Sequence, residues 1–368
     1  MTFTTRPELS GTFGMVASTH WLGSAAGMAV LERGGNAFDA AVAAGLALQV
    51  VEPHLNGPAG EVPILLYDGA PRVICGQGPA PAAATIERFT ELGHELIPGR
   101  GPLAACVPGA FDAWMLLLRD WGTLELPEVM RYALAYARDG FPLLAGTAAV
   151  IETLEWPTSR EIWRPEGGRL RTPVLADTYE RVLREAAGPT REARIDAARD
   201  AFYRGFVAET IAAHHDGFLT GDDLAGFAAT VEDPVTLDFA GWTVCKTGPW
   251  GQGPVFLQQL ALLEGHDLGE FLGAEHIHTV VECAKLAFED RETYYGDSAP
   301  VPLDMLLSRE YAAERRALVG REAAGEPARQ AEAVGGPGLG EPTLGDTCHI
   351  DVADRHGNLV SATPSGGW

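Results

Sequence analysis

Two short runs of alternating apolar and polar residues flank a turn cluster in residues 345–368, GDTCHIDVADRHGNLVSATPSGGW. Cys348, Ile350 and Val352 alternate with Thr347, His349 and Asp351. After Asp354-Arg355-His356-Gly357-Asn358, Leu359-Val360-Ser361-Ala362-Thr363 returns. Successive side chains of a strand point to opposite faces, so period-two patterning around Gly-Asn predicts a β-hairpin. Centring the turn on His356 puts Thr347 opposite Ser365, and two hydroxyls then meet at the open end of the hairpin.

What surrounds that hairpin is a chain of 368 residues, 46% of them hydrophobic, enough for one large domain or two smaller ones with a sizeable core. Fifty acidic residues against 27 basic give a formal charge of −23, a surface that repels phosphate backbones and anionic lipid. Nucleic-acid and peripheral-membrane roles are set aside on that ground. No apolar run approaches the roughly 18 residues of a membrane span, and the N-terminus lacks a basic segment leading into an apolar block. Five cysteines, odd in number and without CxxC spacing, fit a reduced cytoplasmic setting.

Along the chain, Met15–Ser18 reads as a strand, followed by alanine-rich helices over 23–33 and 38–50, the second N-capped by Asn36. The run GGNAFDAA follows a helix rather than a strand and lacks GxxxxGK[ST], so it is not a phosphate loop. Residues 52–61 are a Gly/Pro loop, 62–68 and 72–75 a hairpin, and 76–82 a second Gly/Pro loop; the two loops are candidates to line a pocket. Helices are predicted from Pro108-Gly109 to Gly122, over 126–138, 177–187 and 192–216, with an irregular excursion over 156–175. Strands around 235–244 precede a third Gly/Pro loop and helices over 255–263 and 276–290. His276, His278 and Glu282 lie on the last of these, with His278 and Glu282 at zinc-ligand spacing but no third ligand in view. Residues 321–344 form a polar linker leading into Asp346-Thr347.

No GxSxG elbow and no HExxH motif is present. Thr347 has the most telling setting among the hydroxyl and thiol side chains. A threonine hydroxyl is a weak nucleophile unless a base stands beside it, and an N-terminal threonine carries its own base, the α-amine. An internal Thr347 reaches that state by attacking the carbonyl of Asp346 and hydrolysing the resulting ester, and Ser365 would orient it from across the hairpin. The alternative is that Thr347 simply opens an ordinary strand.

In this order the chain carries MVASTH at 15–20, GGNAFDAAVA at 34–43, VEPH at 51–54 running to Gly60, APAAAT at 80–85, VPG at 107–109, ARDGF at 137–141, AFYRG at 201–205, DR at 290–291 through Gly296-Asp297, and DTCHIDV at 346–352 followed by Asp354 and Gly357-Asn358. The collinear series resembles the γ-glutamyltranspeptidase family of N-terminal nucleophile hydrolases. The resemblance implies a four-layer αββα fold, cleavage between Asp346 and Thr347, and an acyl-enzyme on Thr347 formed from an amide. Its partners would be a small-molecule amide and the chain's own small subunit; no metal or organic cofactor is implied, and a homo-oligomer is compatible with it. On this reading 1–346 is the large-subunit region and 347–368 the start of the small subunit, with the rest of that subunit, and its oxyanion-hole glycines, beyond Trp368.

Three departures bear on substrate. Members specific for γ-glutamyl groups carry an arginine for the substrate α-carboxylate where Gln77 stands, and a neutral amide cannot form that bidentate charged pair. They carry threonine at the position of Ser365, which keeps the hydroxyl, and asparagine at Gly367. Residues 361–368 look more like the oxamate-amidohydrolase and acylase branch, with Trp368 as an aromatic wall near the nucleophile. The leading expectation is an autoprocessing amidohydrolase acting on a small oxamate-like amide. A γ-glutamyltransferase or glutathione hydrolase using another cation is the second, and a non-catalytic scaffold that binds a ligand or partner is the third.

Overall fold

A computed structural model describes residues 8–99, 101–154, 157–215, 217–296, 299–324 and 347–366. The chain divides into two compact units, one of residues 1–70, 74–231 and 343–368, the other of 71–73 and 232–342. Asp346, Gly367, Trp368 and the linker beyond residue 324 lie outside the described residues.

The first unit opens with β1 (Gly14–Ser18), α1 (Trp21–Glu32) and α2 (Ala37–Val51). Every residue of α2 is buried, as a helix apolar on all sides must be. It packs against α1 and against the sheet strands described below. Small residues make this possible: a methyl on Gly27 would come within 3.0 Å of the Ala40 carbonyl, and one on Gly45 within 2.4 Å of the Trp114 ring. The run GGNAFDAA has a structural job. Asn36 Oδ1 accepts from the Phe38 and Asp39 N–H groups at 3.0 Å, and Asp39 Oδ2 accepts from Asn36 N at 3.0 Å, forming a capping box. Asp39 also accepts from Thr123 N, Thr123 Oγ1 and Leu124 N, tying the start of α2 to a distant loop.

Strands β2 (Val62–Tyr67) and β3 (Pro71–Gly76) follow, then α3 (Ile86–Glu91), α4 (Ala110–Trp121), α5 (Leu126–Asp139), β4 (Phe141–Pro142), α6 (Ala145–Glu152), α7 (Pro157–Ile162) and β5 (Arg169–Leu170). The excursion over 156–175 thus contains a short helix and a short strand, and α8 (Pro173–Glu185) begins inside it. The single helix expected over 192–216 is instead two, α9 (Arg191–Tyr203) and α10 (Phe206–His215). The break falls at Arg204-Gly205, where a methyl on Gly205 would stand 2.8 Å from the Ala201 carbonyl oxygen. After α11 (Gly221–Ala225) comes β6 (Thr230–Glu232).

The second unit holds the hairpin β7 (Val235–Phe239) and β8 (Trp242–Lys246), then α12 (Gly253–Leu263), α13 (Ala274–Tyr294), α14 (Leu303–Leu306) and α15 (Arg309–Arg316). Ala240 and Gly241 both have positive φ, 50° and 85°, the pattern of a two-residue type I′ hairpin turn. Val255, Leu262, Cys283 and Ala287 form its core. The zinc spacing on α13 has another use: His278 Nε2 donates to the Gly320 carbonyl at 2.8 Å, and Glu282 pairs with Lys285 at 2.8 Å.

Residues 350–362 return to the first unit as β9 (Ile350–Asp354) and β10 (Leu359–Ala362). The six-stranded sheet runs β1-β9-β10-β2-β3-β6. Ile350, Val352, Val360 and Ala362 face α2 and are buried, and Met15, Tyr67 and Leu359 on the other face are exposed. The result is the expected mixed α/β architecture, a helical layer against one face of the sheet. No helix among the described residues is long and apolar enough to cross a membrane.

Candidate active site

The hairpin has the register its sequence implies, with Leu359 opposite Ala353, Ser361 opposite Asp351 and Ala362 opposite Ile350. Gly357, at φ 83°, makes the turn that a side-chain-bearing residue would resist. Asp354 fixes it: one carboxylate oxygen accepts from His356 N and Asn358 N, the other from Asn358 Nδ2 and from Ala37 N at the start of α2. Burial opposes ionisation of Asp354, but these hydrogen bonds outweigh it and hold the carboxyl below the usual range.

At the open end, Thr347 and Ser365 form an antiparallel bridge, and Ser365 is bridged on its other side to Glu61. Ser365 N donates to the Glu61 carbonyl at 3.0 Å and accepts in return at its own carbonyl at 3.2 Å, and Cys348 N donates to Pro364 O at 2.8 Å. Thr347 is exposed, whereas Ser365 is buried. Thr347, His349 and Asp351 alternate onto the exposed face of the sheet. There the His349 ring lies 3.0 Å from Thr363 Oγ1 and 3.1 Å from Asp351 Oδ1. A carboxylate only accepts, so Nε2 donates to Asp351, and in the neutral ring Nδ1 accepts from the Thr363 hydroxyl.

Behind Thr347 the chain is anchored in a polar cluster whose Glu52, Asn56 and Cys348 are buried and whose Thr19 is exposed. The Cys348 thiol donates to Glu52 Oε2 at 3.2 Å, Asn56 Nδ2 donates to Cys348 Sγ at 3.2 Å, and Thr19 Oγ1 donates to the same Glu52 oxygen at 2.5 Å. Burial, then the Glu52 charge, pushes the Cys348 thiol far above the ordinary range, so it stays protonated. His20, almost fully buried, accepts from Leu22 N through Nδ1 and caps α1. Burial lowers the pKa of both His20 and His54 although Glu52 pulls the other way.

The two Gly/Pro loops meet at this site through backbone alone. The Gly60 carbonyl accepts from Gly109 N and Ala110 N, both at 2.9 Å, standing in for a side-chain cap at the start of α4. A methyl on Gly109 would stand 2.1 Å from the Gly76 carbonyl, and one on Gly78 would stand 1.6 Å from that of Val107. Gln77 sits between Gly76 and Gly78, partly buried, so its loop is stitched through 107–109 to Gly60 and so to Ser365. Cys106, exposed on the same connection, has its thiol raised by burial and then by the Glu61 charge.

The structure therefore brings Thr347 and Ser365 together and brings the Gln77 loop to the same backbone network. Asp346, Gly367 and Trp368 fall outside the described residues. Glu52, Asn56, Cys348, Glu61, His349 and Thr363 were not singled out from sequence. The dense run EPHLNG was a usable signal for the first two; the others depend on cross-strand and loop contacts. Among the described residues no three metal-ligating side chains gather.

The sequence profile described as Gamma-glutamyltranspeptidase matches residues 23–368. The glutathione hydrolase-like YwrD proenzyme of Bacillus subtilis is 32% identical over 95% of this chain and 66% of its own length. The acylase ACY 1 proenzyme of Pseudomonas sp. strain SE83 is 34% identical over 96% and 65%, and the oxamate amidohydrolase proenzyme of Klebsiella pneumoniae is 31% identical over 95% and 66%. Among solved structures, LmbA2991HD superposes with a TM-score of 0.91 at 52% identity over 100% of this chain and 70% of that one. Cephalosporin acylase from Bacillus halodurans gives a TM-score of 0.83 at 28% identity over 99% and 68%. The chain thus spans about two thirds of the length of the curated relatives it matches, and its fold is the N-terminal nucleophile hydrolase fold of the transpeptidases and acylases.

Proposed function

The chain belongs to the gamma-glutamyltranspeptidase family, and from that premise we propose that it is the nucleophile-bearing part of an autoprocessing amidohydrolase. The observation that carries the reading is the bridge between exposed Thr347 and buried Ser365, itself clamped to Glu61. Thr347 Oγ attacks the carbonyl carbon of Asp346, and the Asp346–Thr347 C–N bond breaks as an ester forms. Water then hydrolyses the ester, leaving the Asp346 carboxylate and a free Thr347 α-amine. That amine takes the hydroxyl proton while Oγ attacks the substrate amide. The leaving amine departs with the proton, and water releases the acyl group as a carboxylate.

For substrate, Gln77 in place of the arginine of γ-glutamyl-specific members disfavours a γ-glutamyl group, because a neutral side chain offers no charged fork to its α-carboxylate, and the resemblance to an oxamate amidohydrolase proenzyme supports a small amide of the oxamate type. The second reading, a glutathione hydrolase, is supported by relatives of that name at 29–32% identity, level with the oxamate amidohydrolase at 31%. A non-catalytic scaffold is the third.

The test uses the full-length protein on a denaturing gel. Two pieces are expected, the smaller beginning Thr-Cys-His by N-terminal sequencing, and Thr347→Ala should remain one band. A single uncleaved band for the wild type would remove the nucleophile assignment and leave the scaffold. Ammonia release from oxamate against chromophore release from a γ-glutamyl anilide then separates the first two readings.

A further inference from the structure

Helix α4 begins without a cap of its own. Its N-cap residue is Gly109, which has no side chain to serve the first N–H groups of the helix. A larger residue does not fit there, because a methyl on Gly109 would meet the Gly76 carbonyl. Two groups from elsewhere in the first unit stand in. The Gly60 carbonyl takes Gly109 N and Ala110 N. The hydroxyl of Tyr203, the last residue of α9, accepts from Asp112 N at 3.2 Å.

The same hydroxyl donates its proton to the Pro108 carbonyl at 2.7 Å. One oxygen thereby grips the Pro108-Gly109 turn on both sides, at the residue before the cap and at the third residue of the helix. Tyr203 is built to hold that grip. It is 2% exposed, and its ring packs on Phe202 and Phe227 with centroids 5.0 and 5.6 Å away. Burial, then the Asp112 charge, pushes its phenol well above the ordinary value, so the donated proton is kept.

From this turn the path to Thr347 is short. Gly60, which receives the two N–H groups of the turn, is followed by Glu61. Glu61 and Ser365 exchange both backbone hydrogen bonds, and Ser365 is bridged to Thr347. The Gln77 loop touches the same turn but has a separate tie, Val107 N to Pro79 O at 3.0 Å.

We infer that Tyr203 is a positioning residue for the Thr347–Ser365 pair, acting through the Pro108-Gly109 turn and Gly60. The inference rests on the reading of Thr347 as the nucleophile. Without the phenolic oxygen, Pro108 O and Asp112 N lose a partner, the turn loosens, and Gly60 no longer holds the Ser365 strand in register. The ring and its packing are untouched by that loss. The AFYRG run at 201–205 thereby acquires a use at a distance from its own helix.

The experiment compares Tyr203→Phe with Tyr179→Phe in the full-length protein. Each removes one buried hydroxyl and keeps the ring; the Tyr179 hydroxyl donates to Gln49 Oε1 on α2 instead of to this turn. Thermal melts set a temperature at which both are fully folded. There Tyr203→Phe should self-cleave about tenfold more slowly than wild type, and Tyr179→Phe at close to the wild-type rate. Hydrogen exchange, read by mass spectrometry in a Thr347→Ala background so that every sample is uncleaved, supplies the second readout. Peptides covering 107–113 and 360–366 should exchange faster in Tyr203→Phe and not in Tyr179→Phe. Faster exchange over 107–113 alone would confine Tyr203 to capping α4 and overturn the inference. So would a wild-type cleavage rate in Tyr203→Phe, or equal slowing in both variants. Failure of the wild type to cleave would instead remove the nucleophile reading, and exchange over 360–366 would still decide whether Tyr203 holds Ser365.

Discussion

A methyl group on Gly60 would come within 1.9 Å of the Ser365 carbonyl oxygen. The two backbones are in direct contact, and the same Gly60 carbonyl receives both N–H groups that start α4. Gly60→Ala should push the Ser365 strand away from Glu61, lowering stability by about 1–3 kcal/mol as overpacked sites do, and should slow self-cleavage more than a surface mutation of equal thermal cost. Melting and a gel time course on the same sample check it; full cleavage at the wild-type rate would show that Ser365 position does not matter.

Stability should fall as pH drops below about 6.5, the ordinary histidine value. His20 and His54 have folded pKa values held below it, first by burial. Above that value both are neutral folded or unfolded and the fold bears no penalty. As pH falls toward the depressed folded values, the unfolded chain takes up protons that the folded one resists. His20→Asn keeps an oxygen acceptor for Leu22 N while removing the titration. Its melting temperature should fall less between pH 7 and 5 than that of wild type. Parallel curves would exclude His20 as a contributor.

Asp112, 2% exposed, is held by Arg199 Nε at 2.5 Å and Nη2 at 2.9 Å and also accepts from Ala229 N at 2.7 Å. Asp112→Ala would leave the partly buried guanidinium facing a hole, at a cost of about 3–5 kcal/mol. Because the pair joins α4 to α9, the loss should appear as a lower denaturant midpoint. A midpoint within experimental scatter of wild type would show the pair to be dispensable.

Cysteine labelling should follow burial. Cys106 is exposed, while Cys348 is buried with a thiol kept protonated by burial and by Glu52. Maleimide at neutral pH should modify exposed Cys106 in the folded protein, more slowly than an unperturbed thiol because burial and Glu61 raise it, and Cys348 only after denaturation, as read by peptide mass spectrometry. Early labelling of Cys348 would mean that the Glu52–Asn56 cluster opens readily.

The elements legible in the sequence were those whose signal is local. Alternation around Gly357-Asn358 carried the hairpin register, and Asn36 as an N-cap carried the start of α2, while Asp39, which completes the capping box, emerges only in the structure. Even so, the run over 192–216 hid its break at Gly205, because helical composition on both sides masks a single glycine. The support for Thr347 was least visible. Glu52, Asn56 and Cys348 look unremarkable in their own segments and acquire meaning only when strand 350–354 is laid beside α2. Likewise Gly60 reads as one turn glycine among many until Ser365 arrives against it.

Strand order gives the hairpin a place in time as well as in space. Among the described residues, β1 pairs only with β9, and β2 reaches β1 only through β10 and β9. Roughly 330 residues separate Ser18 from its partner Ile350, which at about 10 residues per second of synthesis is on the order of half a minute. For that interval the nascent sheet holds a two-strand slot, with bare edges of the kind that recruit foreign strands. The hairpin acts as a keystone, and the timing has a further sense. If Thr347 is the nucleophile proposed above, it cannot meet Glu61 and Gly60 until these late strands are in place, so peptide-bond scission is expected only after they have joined the sheet. A pulse-chase comparison of protease resistance with cleavage would show the order, and cleavage that precedes resistance would refute it.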